Sequence, residues 1–208
     1  MRRRSTTRWF AASLALLLLQ LASCAAFKRC AYEGFGRRDG WQQPERIVEA
    51  LALQPGDRVA DLGAGGGYFT FRLADAVGET GRVYASDVDP DMLEYIEAEA
   101  SRRGYTNVVP VRAGFDDPGL PDAGIDLLFT ANTYHHLDDR AAYFRNVRAD
   151  LAAGGRVAIL DYDGPGLLRS HYSPKQTLLE EMDQAGYDLV ADHDFIDRQS
   201  FLVFEPRP

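Results

Sequence analysis

Val59-Ala60-Asp61-Leu62-Gly63-Ala64-Gly65-Gly66-Gly67 is the stretch on which the fold turns. Arg58 to Leu62 is a short, mostly apolar run that enters the glycines directly, so it reads as a strand feeding a tight turn. Glycines there let the backbone bend sharply and approach a ligand closely, and a helix that follows offers free N–H groups. Two common glycine signatures fail on the neighbouring residues. The nicotinamide pattern G-x-G-x-x-G needs Gly or Ala where Tyr68 stands, and a P-loop needs a Gly-Lys-Ser/Thr that the chain lacks. What remains is an acid at a strand end followed by alternate glycines.

Outward from this stretch, helical and strand-like pieces alternate. Pro44 to Leu53 carries a helical apolar stripe (Ile47, Val48, Leu51, Ala52), and Gln54-Pro55-Gly56-Asp57 is a turn. Tyr68 to Val77 reads as a helix, Arg82 to Ser86 as a strand, and Pro90 to Arg103 as an acidic amphipathic helix. Val108 to Arg112 and Ile125 to Thr130 are the next strands. Asp138 to Leu151 reads as a helix stopped by Gly154-Gly155, and Arg156 to Leu160 as a fifth strand. Pro174 to Ala185 is a helix, and Tyr187 to Asp194 with Ser200 to Glu205 form a closing hairpin. This order predicts an α/β, doubly wound, Rossmann-like sheet of about seven mostly parallel strands with an antiparallel C-terminal hairpin. Ligands in such sheets bind beyond the carboxyl ends of the strands, where the glycines lie.

Asp61, Gly63, Gly65 and Gly67 match the pattern D/E-x-G-x-G-x-G, and here the chain resembles the class I S-adenosylmethionine-dependent methyltransferases. Leu151-Ala152-Ala153-Gly154-Gly155 is similar to that family's L-x-P-G-G, and the late turn Ala185-Gly186-Tyr187 also fits. The resemblance runs from about Gln43 to Phe204. It implies S-adenosylmethionine as cofactor and a second acid gripping both ribose hydroxyls, for which Asp87 stands after the next strand, followed by Val88. Two carboxylates suit that ligand, one accepting from the ribose and one favouring its cationic amino acid end. The family often has Gly-Asp after strand three, contacting the adenine amino group. This chain has Arg112-Ala113-Gly114-Phe115-Asp116-Asp117 instead, which leaves Asp116 as the adenine candidate, with a solvated loop as the alternative.

Methyl transfer from a sulfonium is an in-line displacement in which an OH or NH acceptor can also need a base. Candidates follow strands four and five: Asn132, lining the cofactor side of Asn132-Thr133-Tyr134-His135-His136, then His136, His171 and Asp161 as catalytic residues. Asp161 and Asp163 could orient an acceptor or bind a divalent ion, but the histidines lack metal-ligand spacing, so no metal is expected. Tyr32, Phe35 and Trp41 are placed to form a lid or simply to pack a tether on the body.

The charge is divided along the chain. Four arginines and no acids precede Cys24, whereas the remainder holds 19 basic and 31 acidic residues, a net −12. A body that acidic repels polyphosphate, which argues against nucleic acid as a partner. The basic Met1–Arg8 and apolar Trp9–Leu21 read as an export signal, too short for a permanent span of about 20 apolar residues. Its end, Leu21-Ala22-Ser23-Cys24, resembles the bacterial lipobox, in which the cysteine thiol takes the lipid and cleavage falls just before it. The organisation expected is a signal peptide at 1–23, a lipidated tether at 24–40 and the catalytic domain at 41–208. The place expected is the cell envelope, membrane-anchored through Cys24 and facing the periplasm; an uncleaved signal anchor is one alternative, a misassigned start with a cytoplasmic protein another. Cys30 is left without an intrachain partner. The function expected is methyl transfer to a small or lipophilic acceptor, the alternative being a non-catalytic binding or assembly module on the same fold.

Overall fold

The computed structural model describes residues 38–121, 124–165 and 171–208. Cys24, Cys30, Tyr32 and Phe35, and with them the signal segment, lie outside the described residues. Among the described residues no helix is long and apolar enough to cross a membrane.

Seven strands form one sheet: β1 (Arg58–Leu62), β2 (Arg82–Asp87), β3 (Val108–Arg112), β4 (Ile125–Ala131), β5 (Leu151–Tyr162), β6 (Tyr187–His193) and β7 (Gln199–Pro206). Their order is β3-β2-β1-β4-β5-β7-β6. The first five run parallel, and β7 lies antiparallel between β5 and β6. This is the expected α/β sheet with its terminal hairpin. Among the described residues six α-helices accompany it: α1 (Arg38–Gln42), α2 (Pro44–Ala50), α3 (Thr70–Val77), α4 (Pro90–Arg103), α5 (Arg140–Val147) and α6 (Lys175–Ala185).

A strand covered on both faces must be apolar on both, and β1 shows it: Val59 and Ala60 are fully buried in clusters on opposite sides. Val59, Val83, Leu127, Phe129 and Leu160 meet Ile47 of α2, Leu51 just beyond it, and Leu73 and Val77 of α3. On the other side Ala60, Leu62, Leu128, Val157 and Ile159 meet Phe144 and Val147 of α5 and Leu178 and Met182 of α6. Local signals fix where helices begin and end. Asp89 accepts from the Asp91 N–H at 3.0 Å ahead of Pro90, and Gly104 closes α4 in the left-handed region.

Two boundaries differ from the sequence expectation. The helix read over Asp138–Leu151 ends at Val147, and Leu151 opens β5 opposite Ile125. Gly154-Gly155, read as a helix stop, therefore lies inside a strand. The strand irregularity between Ile125 and Leu127 accommodates it, because a side chain on Gly155 would come within 2.6 Å of the Ile125 carbonyl oxygen. At the other end, Arg38, Asp39 and Gly40, read as tether, belong to a helix seated on the body. The Arg38 guanidinium lies 4.0 Å over the Tyr68 ring, and the Tyr68 hydroxyl donates to Asp39 Oδ1 at 2.5 Å.

The register places the chemistry. Leu62 pairs with Ser86 and Thr130, Asp87 with Arg112, and Ala131 with Leu160. The residues that follow each parallel strand therefore emerge at one edge, astride the switch between β1 and β4.

Candidate active site

A cavity of about 660 Å³ opens along that edge, a size typical of small-molecule sites. Its floor is the glycine turn. The Gly63 and Ala64 N–H groups both donate to the Ser86 carbonyl, at 2.8 and 3.1 Å, tying the turn to β2. Gly63 has a φ of 74°, and a Cβ there would fall 2.1 Å from Thr133 Oγ1, so both backbone conformation and space demand glycine. Gly63, Ala64, Gly65 and Gly66 reach the wall, whereas Gly67 sits behind it, close against the Phe71 ring.

Both expected carboxylates face this floor. Asp87 Oδ2 accepts from the Gly65 N–H at 2.7 Å and Oδ1 from the Asp89 N–H at 2.8 Å, which orients the group and leaves further lone pairs for a ligand. Asp61 is 3% exposed, and Thr70, at the start of α3, donates to its Oδ2 at 2.6 Å. Burial pushes the Asp61 carboxyl up to about 6; the Asp87 charge adds to this, while the Thr70 hydrogen bond and the Arg38 guanidinium oppose it.

Around the cavity the other candidates separate. Val88, at 41% exposure, lies on the wall with Ala113, Gly114 and Phe115. Asp116 is exposed and does not reach that wall. Asn132 does, in a left-handed conformation with φ 59°. Its Oδ1 accepts from Gln199 Nε2 at 2.5 Å, and Gln199 Oε1 accepts from Gln42 Nε2 at 2.9 Å, so α1 is wired to the loop after β4 through the sheet. Trp41 is on the wall and stacks on Tyr162, with centroids 6.2 Å apart.

On the remaining side stand His135, His136 and His171. His136 and His171 were singled out in sequence; His135 was not. The fully buried Asp161 pairs with His135: its Oδ1 lies 2.7 Å from Nδ1, and its Oδ2 accepts the His135 backbone N–H at 2.9 Å. Asp161 thus sits behind the wall and holds His135 in place. Burial lowers the proton affinity of His136, and the His135 and His171 rings lower it further. No local pattern pairs residues 135 and 161; alignment of β4 with β5 does. Tyr143 is another residue the sequence did not mark. It lines the cavity with a buried hydroxyl that has no hydrogen-bond partner among the described residues.

A glycine floor, an oriented carboxylate after β2 and a buried acid at the end of β1 suit S-adenosylmethionine in backbone clearance and charge, and together with the sheet order they define a Rossmann-like methyltransferase site. The chain belongs to the methyltransferase domain family, which matches residues 53–194 and, as a class I family, uses S-adenosylmethionine as methyl donor. It is 36% identical over 117 residues to a protein-L-isoaspartate O-methyltransferase of Aeropyrum pernix, covering 55% of this chain and 42% of the relative. It is 27% identical over 168 residues to a ubiquinone/menaquinone biosynthesis C-methyltransferase of Shewanella frigidimarina, covering 76% and 66%. It is 29% identical over 163 residues to phosphoethanolamine N-methyltransferase 1 of Arabidopsis thaliana, covering 78% and 32%. The matches thus span less than two thirds of those relatives' own lengths. A solved S-adenosylmethionine-dependent methyltransferase from Aquifex aeolicus shares the fold, with TM-score 0.78 and 23% identity over 85% of this chain and 96% of that one.

Proposed function

We propose that this chain transfers the methyl group of S-adenosylmethionine to a small or lipophilic acceptor. The observation that carries the proposal is one cavity with Asp61, the glycine turn and Asp87 on one side and the Asp161–His135 pair on the other. When bound, the donor supplies an electrophilic methyl on a sulfonium. The residues of this chain hold and align. Asp87 accepts from the ribose hydroxyls, Val88 and Phe115 offer apolar surface to the adenine, and Asp61 favours the cationic amino acid end. Across the cavity stands His135, held by Asp161, with His136 and His171 beside it, the side that would receive the acceptor. The relatives' names cover a C-methyltransferase of quinone biosynthesis and a phosphoethanolamine N-methyltransferase, which supports a small acceptor without choosing its nucleophilic atom. Calorimetry with S-adenosylhomocysteine tests the donor site; absence of binding would sink the proposal.

The N-terminal sequence supports a second part: attachment at the cell envelope through a lipidated Cys24, with the acceptor at or near the membrane. Labelled palmitate should enter the wild-type chain and not Cys24→Ser; equal labelling of both would remove the anchor and favour a cytoplasmic enzyme. Because the donor is made in the cytoplasm, export favours one competing reading, a non-catalytic binding module at the envelope. Methyl incorporation from labelled donor into candidate acceptors separates the two.

A further inference from the structure

The three histidines on the acceptor side form more than a polar wall. The 3-10 turn Tyr134–His136 brings His135 and His136 beside His171, which arrives from the loop after β5. Ring centroids lie 4.1 Å apart for His135 and His136, 5.1 Å for His136 and His171, and 5.5 Å for His135 and His171. One ring nitrogen from each can be chosen so that all three fall within 4.8 Å of one another. His136 and His171 are exposed at the cavity, while the His135 side chain is only 4% exposed.

The buried carboxylate gives this cluster its chemical direction. Asp161 Oδ1, 2.7 Å from His135 Nδ1, fixes the ring and keeps a proton on that nitrogen, which leaves the lone pair on Nε2. A carboxylate behind an imidazole is the usual outer support of a metal-ligating histidine. We propose that His135, His136 and His171 bind one divalent first-row transition-metal ion, with zinc the best match. Three neutral imidazoles suit zinc, copper or nickel, whereas magnesium and calcium seek oxygen. Three protein ligands leave the fourth tetrahedral position open, as in catalytic rather than structural zinc sites. Nitrogens about 2.0–2.1 Å from one tetrahedral ion sit roughly 3.4 Å apart, so ring rotations at the two exposed histidines close the site.

Resting on the methyl-transfer reading, the open position takes the acceptor's own oxygen or sulfur. Coordination lowers the pKa of that hydroxyl or thiol, and its proton passes to solvent. The freed lone pair forms the bond to the methyl carbon while the methyl–sulfur bond breaks, its electrons returning to sulfur as a neutral thioether. The acceptor class so assigned is a hydroxyl or thiol compound.

The test is a titration of the full-length chain, without a histidine tag and stripped by chelator, with Co²⁺ and then Zn²⁺. The expected result is one equivalent bound, with the visible absorption of tetrahedral Co²⁺. His136→Gln and His171→Gln each abolish it, Asp161→Asn weakens it about 10–100-fold, and His193→Ala, outside the cluster, retains it. Circular dichroism melts of each variant establish folding. Absence of stoichiometric binding by the wild type, or its retention in both glutamine variants, overturns the site. S-adenosylhomocysteine calorimetry on the same preparation separates the two readings. Metal without nucleoside binding overturns the methyl-transfer role and leaves the metal site; nucleoside without metal binding overturns the metal site alone.

Discussion

Asp61 and Asp87 are both strand-end acids, yet their surroundings give them different behaviour. Asp87 is held by two backbone N–H groups, and a charged carboxylate bonded to a ligand hydroxyl contributes about 1.5–3 kcal/mol per hydrogen bond. Asp87→Ala should therefore weaken S-adenosylhomocysteine binding by about 100-fold or more in calorimetry. Asp61 has its proton affinity raised in the folded chain, from 3.8 to about 6. Below about pH 4 folded and unfolded chains both carry this proton; between pH 4 and 6 only the folded chain does. Its contribution to stability is thus present in acid and lost as pH rises through 6, by about 3 kcal/mol in total. Asp61→Asn should flatten that slope in denaturant titrations followed from pH 4 to 7. A ligand ammonium group pairs with the ionised form only, so affinity should rise about tenfold from pH 5 to 7 in the wild type and not in Asp61→Asn. Tyr143→Phe removes a buried hydroxyl that finds no partner among the described residues. The variant should melt at or above the wild type, and any loss of ligand affinity reports a bond that only a ligand completes.

Elements fix the site by where they stop. The glycine pair at 154–155 lets β5 begin early enough to lie along the foot of β4, and that pairing carries through to Ala131 opposite Leu160. Gly155→Val should cost about 2–4 kcal/mol, read as a lower denaturation midpoint, because its side chain meets the Ile125 carbonyl and cannot yield. Helix α1 contributes differently, through the Gln42–Gln199–Asn132 chain of amide bonds. The edge strand β6 is irregular between Leu189 and Ala191 and carries Asp188 and Asp192, with Lys175 bonded to Asp192 at 2.6 Å. These features discourage pairing with another copy although Leu189 and Val190 are exposed.

At the scale of the molecule, the cavity couples binding to folding. S-adenosylhomocysteine at a hundred times its dissociation constant adds about 2.7 kcal/mol, which should raise the melting temperature by about 5–10 °C in a chain of this size. Thermal shift with and without ligand measures this. The alternation of strands and helices, the terminal hairpin and the Asp61–glycine–Asp87 set were legible along the chain, because hydrophobic period, turn residues and a nine-residue motif are local. The start of β5 at Leu151 was not, since a helical apolar spacing continues through it and only contact with Ile125 decides otherwise. Nor could the chain order reveal which histidine Asp161 supports, or that His171 stands beside two residues 35 and 36 positions earlier. Sequence by itself determined the sheet, its family and the strand ends at which Asp61 and Asp87 stand. Tertiary structure alone decided which groups face them across the cavity, because groups on separate strand ends acquire their partners, burial and proton affinities only when the parallel register sets those ends level.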